Sequence, residues 1–212
     1  MENIRIKFSK TGNAKYISHL DLNRFFQRAF KRSGLPIWIT EGFNPHIYLH
    51  FLLPLSLGTE SITEFVDLKI TREIDHQKIK ERMNEVLPEG FYVSEVFPPE
   101  SKADKIAFCK YEISFPETDK KTLEEFLRAE KIEVLKKTKR KEYIVDLKQE
   151  IRDISISEKD EGSEISVILP ATENRSINPE LIINALSQNL SEEVFARIKR
   201  ISVLKEDLTE FK

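Results

Sequence analysis

Four side chains in the first third of the sequence are suited to proton transfer or metal ligation: His19, His46, His50 and Glu64. Cleaving RNA without a metal requires a base near the attacking 2′-hydroxyl and an acid near the leaving oxygen, both within reach of one phosphate. His46 and His50 are four residues apart, ~13 Å along an extended strand. The helical angle of His19 turns it toward an apolar side, where a core histidine bonded to Glu64 or to backbone is the alternative to a ligand. The sole cysteine, Cys109, ends the apolar run from Ile106 and reads as a buried small residue. One cysteine excludes a disulfide framework and a cysteine-based zinc or iron–sulfur site within a single chain. There is no nucleotide-binding loop, paired-carboxylate motif or zinc spacing, and no cofactor is expected.

A second kind of chemistry is anion and base recognition. Residues 1–58 hold eight cations (Arg5, Lys7, Lys10, Lys15, Arg24, Arg28, Lys31, Arg32) against three anions (Glu2, Asp21, Glu41), although the whole chain has a net charge of −2. Arg24, Arg28, Lys31 and Arg32 share one face of a helix and suit a phosphate backbone. The same stripe also fits a solvated face, with Asp21 pairing part of it. Alternation along three strands places Arg5, Lys7, His46, Tyr48, His50, Phe65 and Lys69 on a common sheet face. Aromatics among cations on such a face stack unpaired RNA bases. The alternative is that this face is covered and its aromatics are core. Five cations fall within Lys136 to Lys141, a run that fits either a solvated loop or a phosphate contact.

These residues need a scaffold. Ile4 to Phe8 alternates as a half-buried strand. Ser18, three residues before Asp21, opens a helix that Gly34 and Pro36 stop, with Leu22, Phe25, Phe26, Ala29 and Phe30 on its apolar face. Strands follow at Ile47 to Leu53 and Ile62 to Ile70, around the turn Leu55 to Thr59. A helix from Asp75 to Val86 and a strand from Phe91 to Phe97 complete a strand–helix–strand–strand–helix–strand order. Pro98-Pro99-Glu100-Ser101 reads as a hinge. Beyond it the order recurs: strand Tyr111 to Phe115, a helix from Thr118 to about Glu130, strands Ile151 to Ser157 and Ile165 to Leu169, a helix capped by Asn178 with Pro179 first and ending at Leu190, and strand Ile198 to Leu204. Residues 132–146 are additional and read as a basic hairpin. The expectation is an α+β protein of two ferredoxin-like units, 1–98 and 104–212, each an antiparallel sheet with helices on one face. One continuous α+β domain is the rival. In such a unit Lys15, Ser18, His19, Gly58, Ser61 and Glu64 gather at one end. His46 lies at the other, ~23 Å away along a seven-residue strand.

Several spaced motifs share one order: Ser18-His19-Leu20-Asp21, then Gly42-Phe43-Asn44-Pro45-His46, then Pro54-Leu55 with Gly58, then Ser61 and Glu64. In these the chain resembles the bacterial radical-SAM-associated family, whose members stand alone or form the C-terminal part of cobalamin-type radical-SAM proteins. The resemblance is strong over residues 1–70. Where the family commonly continues Asn-Pro-His with a proline and a basic residue, this chain has Ile47-Tyr48. The resemblance implies a radical-SAM enzyme or other protein as partner, and it carries no established activity.

Three functions stay open. The first is a non-catalytic module that binds RNA or presents a substrate, acting with a radical-SAM enzyme or in RNA maturation, with Lys15, Arg24, Arg28, Arg32, His46, Tyr48, His50 and Phe65 as contacts. The second is a metal-independent RNA endonuclease, by analogy of fold with the CRISPR repeat-processing enzymes. The third is a structural protein-interaction module. The segment Met1-Glu2-Asn3-Ile4-Arg5 has no apolar signal core, and no stretch approaches a membrane span, so a soluble, cytoplasmic protein is expected.

Overall fold

The computed structural model describes residues 1–137 and 141–212. Its contacts divide the chain into two units, Met1–Ala103 with Lys212, and Asp104–Phe211. The fold is α+β, with antiparallel strand pairs and helices on one face.

Unit 1 begins with β1 (Glu2–Lys10), a 3-10 turn at Gly12–Tyr16, and α1 (His19–Ser33). The Ser18 Oγ accepts from the Asp21 N–H, satisfying one of the orphan donors of the first turn. At the other end Gly34 adopts φ 62°, a left-handed position where a Cβ is penalised, and closes the helix. Leu22, Phe26, Ala29 and Phe30 are buried by α1, as their spacing requires. Next come β2 (His50–Phe51), β3 (Glu60–Ile70), α2 (His76–Val86, capped by Asp75) and β4 (Phe91–Phe97). β1 pairs antiparallel with β3 and with β4, and β2 pairs antiparallel with β3. The order is therefore β4-β1-β3-β2. Phe8, Phe26, Phe51 and Phe91 form the aromatic centre of the core between sheet and helices, with Phe8 and Phe26 centroids 4.8 Å apart.

Unit 2 has its own succession of strands and helices, with an inserted pair of strands. β5 (Phe108–Phe115) and α3 (Lys120–Arg128) lead into β6 (Glu133–Lys137), β7 (Glu142–Asp146) and the short α4 (Leu147–Glu150). β8 (Asp153–Glu158), β9 (Ser163–Pro170), α5 (Glu180–Leu190) and β10 (Arg197–Leu204) follow. The sheet order is β10-β5-β9-β8, all antiparallel. β6 and β7 pair antiparallel in a two-stranded sheet of their own. Part of the basic run at its tip lies outside the described residues.

The structure corrects four local expectations. The strand placed at Ile47 to Leu53 shrinks to two residues, because Ile47 bridges back to Ile39 and Leu53 turns to φ 48°. Asp119, not Thr118, caps α3 by accepting from the Thr122 N–H, and that helix ends at Arg128. Pro179 is the cap position of α5, and the Asn178 side chain accepts from Glu180 N–H one residue further in. His19 is exposed on the first turn of α1, its ring edge-on to Phe51 at 5.5 Å, rather than in the core. Among the described residues, no helix is long and apolar enough to cross a membrane.

Candidate functional site

Strand pairing builds the site. β1 and β3 set Arg5 opposite Asp67 and Asn3 opposite Lys69, while β2 sets His50 opposite the same Asp67. Arg5, Asp67 and His50 thus form one row across three strands, on the sheet face away from the helices. Phe51, next to His50, points the other way into the aromatic core. The segment after β4 folds back over this face, where Ser101 carbonyl accepts from Arg5 Nη1 at 2.9 Å. Between sheet and segment lies a cleft of about 540 Å³, lined by Tyr48, His50, Asp67, Lys69, Glu100 and Lys102 among others. That volume suits one small-molecule-sized group.

The electrostatics are uneven. Arg5 is 1% exposed and holds Asp67 through two parallel bonds of 2.7 and 2.8 Å, so the floor carries a compensated pair. At the rim Tyr48 is 52% exposed and His50, Lys69, Lys102 and Glu100 are exposed. The Lys69 ammonium sits 5.3 Å from the centre of the Trp38 ring, within cation–π range. An aromatic face flanked by two lysines over a neutralised floor can stack a planar ring and hold an anionic group beside it.

Four residues assigned by alternation to a common face, Arg5, Tyr48, His50 and Lys69, line this cleft together. The other three do not join them. Lys7 is 3.4 Å from Glu95. Phe65 is buried and offers no ring to solvent. His46 closes a separate loop. Its Nδ1 donates to Asn44 carbonyl at 2.9 Å, its N–H donates to Thr40 Oγ1, and Thr40 N–H donates to its carbonyl. Gly42, Phe43, Asn44 and Pro45 are the exposed tip of that loop, with Gly42 at φ 116°.

The Ser18 motif and Gly58 meet at another end of unit 1. Gly58 N–H donates to Lys15 carbonyl at 3.0 Å, and Lys15 Nζ lies 3.4 Å from Glu60, so Lys15 carries a local partner. Ser61 and Glu64 are buried. Arg24, Arg28 and Arg32 are exposed on α1, with Arg24 3.5 Å from Asp21 and Arg32 donating to Val86 carbonyl. Among the described residues, no three of His, Cys, Asp and Glu gather where they could hold a metal ion.

Asp67, Glu100 and Lys102 were missed from the sequence. Asp67 lies between Phe65 and Lys69 in the same alternation, and that signal was available. The return of the 99–103 segment over the sheet is a tertiary event with no local signature.

The model of one family matches residues 3–179, most of the chain and all of this cleft. The chain belongs to the family described as uncharacterized protein conserved in bacteria (DUF2344). The family is radical-SAM-associated and has no assigned activity. No curated protein matches the chain.

Proposed function

We propose that the chain is a non-catalytic module that binds single-stranded RNA through the unit 1 cleft and works beside a radical-SAM enzyme in the cytoplasm. The observation that carries this reading is the convergence of Tyr48, His50, Lys69 and Lys102 on one cleft over the Arg5–Asp67 pair. A base stacks on Tyr48, and the lysines meet its flanking phosphates. Arg24, Arg28 and Arg32, on α1 at the opposite side of the sheet from the cleft, offer a second set of phosphate contacts to a longer strand that passes around the unit. We take both units as ferredoxin-like, a reading supported by the strand orders β4-β1-β3-β2 and β10-β5-β9-β8.

Association with the enzyme is supported by the family. The end of unit 1 that carries the Ser18 motif has exposed Tyr16, Leu20 and Leu57, and we place the enzyme contact there. The test is titration of labelled single-stranded RNA with the full chain at low salt, alongside Tyr48→Ala. Saturable binding that weakens in the variant supports the reading. Equal binding by both proteins moves the site elsewhere, and no binding by wild type ends the RNA reading.

A further inference from the structure

We propose that the free edge of β6 is a self-association surface, on which a second copy of this chain pairs its own β6 antiparallel. This inference concerns unit 2 alone and does not depend on the RNA reading.

The first observation is the edge itself. β6 and β7 make a two-stranded sheet, so among the described residues each strand has one edge without a strand partner in that sheet. Such an edge presents backbone N–H and C=O groups that template further pairing. Beside β6 runs a groove of about 600 Å³. Its lining includes four consecutive β6 residues, Val134 to Lys137, and the α5 residues Asn184, Ser187 and Gln188, with none from β7. Consecutive residues alternate between the two faces of a strand. A groove that touches all four therefore follows the edge away from β7. Asn184 and Gln188, one helical turn apart, are exposed along it, and among the described residues neither side chain has a hydrogen-bond partner.

The second observation is that β6 is complementary to itself. Its sequence is Glu133-Val134-Leu135-Lys136-Lys137. A two-fold axis through Leu135 sets Leu135 opposite the partner's Leu135, and Glu133 opposite the partner's Lys137 twice over. These three positions share one face. On it Leu135 is 43% exposed, and its β7 neighbour Ile144 is 67% exposed. Pairing would join two Leu135–Ile144 pairs into one apolar row. Glu133 already faces Asp146 across the hairpin, two acids in one row, while Lys137 faces Glu142 with their charges 3.2 Å apart. The partner's Lys137 would place a cation on the open side of Glu133, and like charges opposite one another in a sheet destabilise it. The contact is isologous, so it closes as a dimer instead of growing into a filament.

Light scattering coupled to size exclusion, on the full chain over a concentration series, should show a monomer–dimer equilibrium. Glu133→Lys and Lys137→Glu should each raise the dissociation constant roughly tenfold, because symmetry repeats each clash. Combining them re-forms the opposite-charge pairs and should restore dimerisation, which a merely structural defect would not do. Leu135→Cys should form a disulfide-linked dimer on mild oxidation, while Ile144→Cys, exposed on the outer strand β7 and two strand spacings farther from its symmetry mate, should not. Circular dichroism confirms that each variant is folded. A wild-type monomer at every concentration overturns the proposal. So does a dimer that the charge swap does not restore, or one that Ile144→Cys links as readily as Leu135→Cys.

Discussion

Arg5 and Asp67 meet side by side across β1 and β3, Nε on Oδ1 at 2.7 Å and Nη2 on Oδ2 at 2.8 Å, with the guanidinium almost wholly buried. The third nitrogen, Nη1, reaches Ser101 carbonyl, so one side chain ties two strands and the 99–103 segment together. Asp67→Ala leaves this buried guanidinium without its carboxylate at the floor of the cleft. Breaking one partner of a buried pair costs about 3 kcal/mol, whereas replacing both with apolar groups of similar volume costs much less. Urea unfolding should therefore show a large loss for Asp67→Ala and a small one for Arg5→Met combined with Asp67→Leu. Equal losses would mean that packing, not charge, dominates at this position.

RNA affinity should divide between stacking and charge. Tyr48→Ala should weaken binding about tenfold, within the range for loss of one base–aromatic stack, and leave the salt dependence unchanged. Lys69→Ala and Lys102→Ala should each lower the slope of log K against log salt by about 0.7, the value for a single-strand phosphate contact. Neutralising Arg24, Arg28 and Arg32 together should flatten it further. Fluorescence anisotropy across a salt series separates these effects. A Tyr48 variant that changes only the slope would contradict the stacking role.

Acid should loosen unit 2 at defined places, among them the start of α3 and the base of the hairpin. Asp119 is held below the ordinary aspartate range mainly by the Thr122 N–H at the start of α3, and Asp146 by the Ile132 N–H beside the hairpin. For a depressed carboxylate, the stabilisation is complete above the unfolded pKa near ~4. It is lost as pH falls through the lower folded value. The midpoint of urea unfolding should thus fall below pH ~4. Asp146→Asn keeps an acceptor oxygen but no titrating group, so its curve should be flatter in acid. A wild-type midpoint indifferent to acid would refute this.

What could be read from the sequence follows from the range of the forces involved. Ser18 and Gly34 frame α1 because capping is decided within a few residues, and Phe91–Phe97 was legible because alternation is local. The pairing between Asp67, Arg5 and His50 depends on register between distant strands. Ile47 to Leu53 has the apolar alternation of a strand, but Thr40 and His46 close a loop on each other and take Ile47 with them. Arg5 reads as a surface cation on β1 and is buried by a segment almost a hundred residues later. His19 occupies the helical angle of an inward residue, yet sits on the first turn, where its ring rests against Phe51 from outside.

The same geometry predicts that the purified protein leaves RNA intact in the presence of a chelator. Metal-independent cleavage needs a base and an acid on one phosphate. His50 lines the cleft, whereas His19 packs on Phe51, whose ring lies on the opposite face of the sheet, so the strands stand between the two imidazoles. His46 donates its Nδ1 proton to Asn44 carbonyl, which in the neutral ring leaves Nε2 as an acceptor on an exposed loop. It could serve as a base, but it lies outside the lining of the cleft that holds Tyr48 and His50. Within the cleft His50 shares the lining with Lys69, Lys102, Glu100 and an Asp67 already bonded to Arg5, and no second imidazole lines it. Host RNA incubated with wild type and with His19→Ala, His46→Ala and His50→Ala should give identical, uncleaved patterns. Site-specific cleavage by wild type that disappears in one of these variants would establish that histidine as catalytic and replace a binding module with a nuclease.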